Sequence, residues 1–211
     1  MGNAAHQQRA LARGAKIVQN AKVNNLMRQS DGAYEVHTSE GLFTARCKVI
    51  VTSGAWINQV LAPLNVHVPV KVTLENVSYV ATKDIKPFRK ENFPIIIYKG
   101  AVCDVYTLPM HGLPCFKALG PIRLTKTCLY TMTNDRHFVI DDLTNHGHAD
   151  VIVCSGAGHA YKFAAVLGKT LSEMAVGQRP SADISAFKIN RPAITDPKYP
   201  FWRDQRMKAN I

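Results

Sequence analysis

Three places in this sequence gather side chains that could do chemistry. The first is Ser155-Gly156-Ala157-Gly158-His159-Ala160-Tyr161-Lys162, where glycines precede a histidine and a lysine. A glycine-rich turn from a strand into a helix lets backbone N–H groups approach a ligand closely. The spacing departs from the dinucleotide fingerprint G-x-G-x-x-G, because Tyr161 stands at the third glycine position. Tight strand–helix packing is the plain alternative for the same glycines. Lys162, in a first helical turn, opposes the helix dipole and is ordinarily solvated. The second place is Cys128 in Thr127-Cys128-Leu129-Tyr130-Thr131; by type alone a free thiol behaves as a buried small hydrophobe. The third is His146-Gly147-His148, close to Asp141 and Asp142. These are metal-ligand residue types, but they fall in a polar turn that offers flexible spacing instead of a preformed cage, so no metal is expected. Asn76-Val77-Ser78 is a glycosylation sequon by pattern alone.

The elements that must position these groups follow from periodicity and punctuation. Residues 4–13 are rich in helix formers, and Gly14 ends them. Residues 16–18, 22–23 and 34–38 have strand composition, with Asp31-Gly32 as a hairpin turn. Residues 41–44 lead to a buried strand at 48–52, which enters Ser53-Gly54-Ala55-Trp56 and a short amphipathic helix over 57–61. Pro63 and Pro69 mark a linker. Residues 69–80 predict a strand and 83–92 a break. Residues 94–98 and 102–108 predict an antiparallel pair across Lys99-Gly100, and 115–118 a further strand. Residues 128–133 and 137–140 are extended pieces around Asn134-Asp135. A buried strand at 150–154 then runs into the glycine turn and a helix over 161–175. A mostly antiparallel middle between two strand–glycine–helix units fits one split α/β domain, mixed α+β in content, with an antiparallel sheet inserted.

Composition sets the outer limits. The chain has 211 residues, 46% of them hydrophobic and 19% charged, which is globular and long enough for a core without disulfide staples. Lys and Arg number 26 against 15 Asp and Glu, a net charge of +11. The basic residues are spread along the chain with no run of five, so nucleic acid is not the expected partner, and anionic small substrates explain the excess equally well. The five cysteines (Cys47, Cys103, Cys115, Cys128 and Cys154) are odd in number and form no CxxC pair. Neither a secreted disulfide framework nor a structural zinc site is expected. No apolar stretch is long enough to cross a bilayer, no signal peptide is visible, and the Met1-Gly2-Asn3 start departs from a myristoylation signal at His6. A reducing compartment and no membrane partner are the expectation.

Beyond this, resemblance speaks. Thr127-Cys128-Leu129-Tyr130-Thr131-Met132-Thr133-Asn134-Asp135-Arg136-His137-Phe138 resembles the C-[ML]-Y-T-x-T-x-D-x-x-F stretch of the monomeric sarcosine oxidase and L-pipecolate oxidase family. Gly158-His159-Ala160-Tyr161-Lys162-Phe163 is similar to that family's G-H-G-F-K-[FL], and Val166-Leu167-Gly168-Lys169 to its V-x-G-K. Phe187-Lys188-Ile189-Asn190-Arg191-Pro192 is similar to its closing F-x-I-x-R. Gly14-Ala15-Lys16-Ile17-Val18 and Val51-Thr52-Ser53-Gly54-Ala55-Trp56 also follow the family, so the similarity covers nearly the whole chain in the right order.

The resemblance implies an FAD-dependent oxidase that turns a secondary amino acid into an imine and oxygen into hydrogen peroxide, working as a monomer on a small amino-acid substrate. It implies that Cys128 joins the 8α-methyl of FAD through sulfur, with Val23, Gly54 and Gly158 as further cofactor-binding positions. Lys162 matches the lysine that pairs with the substrate carboxylate. Tyr130 and His159 match side chains near flavin and substrate, and Lys117 matches the lysine that serves oxygen by stabilising developing negative charge. Residues 1–64 and 134–211 would form part of the FAD-binding domain and 65–133 the substrate domain, with an internal deletion near residue 120. The family opens with a strand and a G-x-G-x-x-G loop that this chain does not show, so it is read as a partial copy. The alternative is a non-catalytic remnant that does not hold FAD by itself. Peroxisomal or cytoplasmic location is expected by resemblance, although Lys208-Ala209-Asn210-Ile211 is no peroxisomal tripeptide.

Overall fold

A computed structural model describes residues 2–99, 104–110, 116–117 and 122–201. The chain divides into two compact units, one made of Met1–Val70 with Met132–Ile211 and the other of Lys71–Thr131. The first unit opens with α1 (Gly2–Leu11), which buries no side chain. Residues 16–18 form no strand, contrary to their composition, and Ile17 and Val18 are exposed. A β-branched run without a neighbour to pair with does not become a strand. Next comes an antiparallel meander of β1 (Val23–Arg28), β2 (Tyr34–Thr38) and β3 (Gly41–Ala45). Its first turn is the Asp31-Gly32 turn: Gln29 N–H donates to the Ala33 carbonyl (2.8 Å), and the Asp31 carboxylate accepts from Ala33 N–H (3.0 Å). Residues 41–44 are a strand in their own right, paired from Tyr34↔Ala45 to Thr38↔Gly41. Then follow β4 (Val49–Val51) and α2 (Ile57–Leu61), whose i, i+4 pair Ile57 and Leu61 is fully buried. Each such side chain contributes about 1.5–3 kcal/mol by burial.

The second unit holds β5 (Lys71–Val80), β6 (Ile96–Lys99), β7 (Asp104–Thr107), β8 (Phe116–Lys117) and β9 (Ile122–Met132), the last reaching across the boundary. They form a sheet in the order β8-β5-β9 and a β6-β7 hairpin paired from Ile96↔Thr107 to Lys99↔Asp104. Of the 115–118 and 102–108 strands expected from sequence, Cys115, Ala118, Val102 and Cys103 lie outside the described residues, as do Gly100 and the segment around residue 120. Between β5 and β6, the Phe88 and Phe93 rings meet at 5.3 Å and Phe88 accepts from Met110 N–H (2.8 Å). Among the described side chains of 71–131, only Val80 and Thr131 are buried. Ile95, Ile97 and Tyr98 stand 63%, 64% and 67% exposed.

Back in the first unit, β10 (Val139–Leu143) and β11 (His148–Ser155) pair antiparallel, and β11 pairs parallel with β4, Val151↔Val49 to Val153↔Val51. The order β10-β11-β4 leaves β4 at an edge among the described residues. Ile50 is therefore 41% exposed, where its Val-Ile-Val sequence predicts full burial. Strand alternation splits β10 and β11 between two cores. Val139, Val151 and Val153 join Leu26, Tyr34, Ile57 and Leu61. Ile140, Ile152 and Cys154 join Leu171 of α3 (Ala164–Ala175) and Ile184. The helix expected over 161–175 begins as a 3-10 turn, Tyr161–Phe163, before α3. A last short helix, α4 (Pro192–Thr195), starts on proline.

Candidate functional site

The carboxyl ends of the parallel pair β4 and β11 carry the glycine turns. In open α/β sheets ligands settle outside those ends, because the chain turns away there and leaves backbone groups exposed. Val51 pairs with Val153, and two residues further on stand Ser53 and Ser155. Both hydroxyl oxygens are buried without a hydrogen-bond partner, and Ser155 is 3% exposed. A buried hydroxyl left unpaired costs about 1–3 kcal/mol. Gly54 follows at φ +53°, and a Cβ built on it meets no atom within 4 Å, so a ligand can come close to its backbone. Gly158 has φ +76°, a conformation that side chains with a Cβ rarely adopt.

Beyond Gly158, His159 is held in one orientation. Its Nδ1–H donates to the Ala157 carbonyl (2.7 Å), which leaves Nε2 of the neutral ring as an acceptor. The ring packs on Phe138 (5.2 Å) and Phe163 (6.5 Å), and Phe138 meets Phe163 and Phe187 edge-on. Lys162 is exposed, with Nζ 5.3 Å from the centroid of the Phe163 ring. The ammonium thus carries three donors that face water.

Sequence reasoning missed the brace behind this turn. Arg191 and Asp135, 56 residues apart, form a fork–fork pair: Nε to Oδ2 at 2.7 Å and Nη2 to Oδ1 at 3.1 Å. Both side chains are 11% exposed. Burial alone would raise the Asp135 pKa, but hydrogen bonds from Arg191 and the His137 N–H outweigh it and hold the carboxyl at about 2. Arg191 also donates to the Lys188 carbonyl (3.0 Å), and Thr133 Oγ1 donates to that of His137 (2.8 Å). Lys188 in turn reaches buried Asp141 (2.6 Å), whose other oxygen accepts from Ile189 N–H (3.0 Å). Asp135 and Arg191, from two of the segments that carry the resemblance, therefore hold the 133–138 turn against the 187–191 segment. The only signal for this was two opposite charges in two separate motifs.

In the second unit, Cys128 and Tyr130 lie two apart on β9 and so on one face of it. Cys128 is exposed, as Cys47 is, against the expectation of a buried thiol. Cys154 is buried, and burial pushes its thiol up to about 11. Tyr130 is half-buried. Burial first, then Tyr106, Cys128 and Glu75 around it, raise its hydroxyl pKa, so the phenol keeps its proton. Lys117 is on β8, its backbone paired with Tyr79 of β5. Of the other expected positions, Val23 opens β1, in a different sheet from the β10-β11-β4 sheet that Gly54 and Gly158 follow, and is exposed beside a register shift.

Of the histidine pair, His148 is absorbed by structure. Tyr34 donates its hydroxyl proton to His148 Nδ1 (2.9 Å), and His148 Nε2–H donates to the Leu64 carbonyl (3.3 Å), so both ring nitrogens are engaged. His146 is exposed in the Thr144–His146 turn. Among the described residues no group of three or more His, Cys, Asp or Glu is arranged to hold a metal ion, and no helix is long and apolar enough to cross a membrane.

Glycine turns and unpaired hydroxyls at the carboxyl ends of parallel strands are where α/β sheets take up ligands. Residues 3–113 match the family described as FAD dependent oxidoreductase, and the chain belongs to that family. It is 27% identical to monomeric sarcosine oxidase of a Bacillus species over 91% of this chain and 58% of the relative. To peroxisomal sarcosine oxidase of Homo sapiens it is 26% identical over 74% of this chain and 50% of the relative. Among solved structures it matches NikD, an unusual amino acid oxidase essential for nikkomycin biosynthesis, at 20% identity and a TM-score of 0.69, covering 88% of this chain and 58% of that one. Glycine oxidase from Geobacillus kaustophilus matches at 14% identity and a TM-score of 0.64, covering 86% of this chain and 55% of that one. These likenesses show the α/β fold. The chain spans about 58% of the length of the first curated relatives it matches. The open glycine turn at Gly54 and the unpaired hydroxyls of Ser53 and Ser155 fit the polar groups of FAD.

Proposed function

We propose that the complete protein oxidises a secondary amino acid, of the sarcosine or L-pipecolate type, to an imine, with oxygen reduced to hydrogen peroxide. The observation that carries this reading is the similarity to monomeric sarcosine oxidase over 91% of the chain. FAD, when bound, supplies the two-electron acceptor. The exposed thiol of Cys128 is the group that tethers it, while Val23, Gly54 and Gly158 shape its binding surface. Lys162, exposed and free of any carboxylate partner among the described residues, holds the substrate carboxylate. His159, locked through Nδ1–H, offers Nε2 as an acceptor toward the substrate amine. Tyr130, kept protonated by burial, donates a hydrogen bond. Lys117 provides the fixed cation that favours oxygen reduction. In this reading residues 1–64 and 134–211 serve the cofactor and 65–133 the substrate, with an internal deletion relative to the family near residue 120 of this chain. The enzyme acts as a monomer, without nucleic acid or membrane. Relatives among both bacterial and peroxisomal sarcosine oxidases support a cytoplasmic or a peroxisomal setting.

The 58% span of the relatives supports a second reading, a remnant that packs with a partner and does no chemistry. Reconstitution separates the two. The purified chain is incubated with FAD and freed of excess, and its absorbance between 350 and 500 nm (roughly the flavin bands) is recorded. Retained flavin supports the oxidase; a colourless protein supports the remnant.

A further inference from the structure

We infer that the hydroxyls of Ser53 and Ser155 form one polar subsite that donates hydrogen bonds to acceptor oxygens of FAD. The inference rests on the proposed function and goes beyond it, since neither motif match singles out a serine. Its first support is contrast. Two other buried polar groups of the same unit are engaged, Asp141 by Lys188 and Ile189 and Thr133 by the His137 carbonyl. Ser155 is almost fully buried and yet unpaired, and so is the Ser53 oxygen. Unpaired buried polar groups in a native protein are rare and call for a ligand or water.

Register is the second support. β4 ends at Val51, paired with Val153, two residues before Ser53, and Ser155 is the last residue of β11, so both serines stand at the carboxyl ends of neighbouring parallel strands. Ser155 continues the alternation of Val151 and Val153, which faces the core shared with Val51. Each serine is followed at once by glycine, and the backbone at Gly54 is open to approach. Two unpaired hydroxyls at neighbouring strand ends, beside an approachable backbone, suit oxygens that accept hydrogen bonds. FAD offers such oxygens on its diphosphate and on its flavin ring, and the shared chemistry is an oxygen acceptor.

The experiment uses the purified full chain, with Ser53→Ala, Ser155→Ala and the double variant. Thermal midpoints are measured without ligand, and affinities for FAD, riboflavin and ADP by titration. Because an unpaired hydroxyl is a burden to the empty protein, the double variant should melt higher than the wild type. It should also bind FAD about tenfold or more weakly, the range expected for lost hydrogen bonds to a charged or strongly polar group. Weakening shared by FAD and riboflavin supports a subsite on the ring; weakening shared by FAD and ADP supports one on the diphosphate. A lower midpoint would mean that the hydroxyls have partners inside the protein and overturns the inference. So does an unchanged FAD affinity in the double variant when the wild type binds. A wild type that binds no FAD supports the remnant reading and overturns the subsite in this chain.

Discussion

Three cysteines in described positions differ in what surrounds the sulfur. At Cys154, burial pushes the thiol up to about 11, so almost no thiolate exists at neutral pH. Cys47 and Cys128 are exposed, and only Cys128 has a protonated tyrosine two residues along the same strand face. In a complete copy loaded with FAD, acid denaturation should leave a yellow pellet. The colour should vanish in Cys128→Ala and persist in Cys47→Ala and Cys154→Ala; a colourless wild-type pellet would remove the tether. Lys162 makes the complementary prediction for substrate. It is exposed, meets only the Phe163 ring among described groups, and is available for an anion. A charge-assisted hydrogen bond to a carboxylate contributes about 1.5–3 kcal/mol, so Lys162→Met should raise KM by about one to two decades with flavin retained. Steady-state kinetics on sarcosine and pipecolate measures it, and an unchanged KM for both sinks the role.

At the scale of elements, the Asp135–Arg191 pair ties the end of β9 to the segment before α4. Unfolded, Asp135 titrates near 3.8, and folded near about 2. A depressed folded pKa means stability that is fully present above about pH 4 and is lost as pH falls from 3.8 toward 2. The shift corresponds to about 2 kcal/mol. Urea midpoints of the wild type should fall over that window more steeply than those of Asp135→Asn. Parallel curves would show that the pair has no linkage to folding. Arg191→Ala should cost more, about 3–5 kcal/mol, because it strands a buried carboxylate. How far the elements were legible depends on whether their cause was local. The helix at 57–61, the Asp31-Gly32 turn and the strand at 150–154 rest on periodicity and turn chemistry within a few residues, and the structure has each of them. Residues 16–18 failed because a strand needs a partner that composition does not supply. Ile50 is exposed because β4 has one neighbour among described strands, which no window around residue 50 can reveal. In the site, the glycines and His159 were visible as a motif. The brace of Arg191 on Asp135 and the orphaned serines required the folded register.

For the whole molecule, the two units differ in how much they bury, and this sets where the chain opens first. The first unit has two cores on opposite faces of the β10-β11-β4 sheet, filled by Leu26, Tyr34, Ile57, Leu61, Val151 and Val153 on one side and Ile140, Ile152 and Leu171 on the other. Neither core includes a residue of 71–131. Within that unit the β6 hairpin exposes Ile95, Ile97 and Tyr98 to water on both faces. Backbone amides open with free energies that follow local burial, so regions with few buried apolar contacts exchange well below the global limit. Hydrogen exchange read by mass spectrometry should therefore find β4, β10 and β11 among the slowest peptides. Peptides from 71–99 should exchange about a hundredfold faster or more. Substitution should track the same division. Leu61→Ala should lose about 2–5 kcal/mol, the usual cost of emptying a filled core position. Ile97→Lys, at a site already 64% exposed, should stay within about 0.5 kcal/mol of the wild type. If peptides from both units exchange at one common rate, the chain opens as a single cooperative body, and the second unit draws its stability from the first.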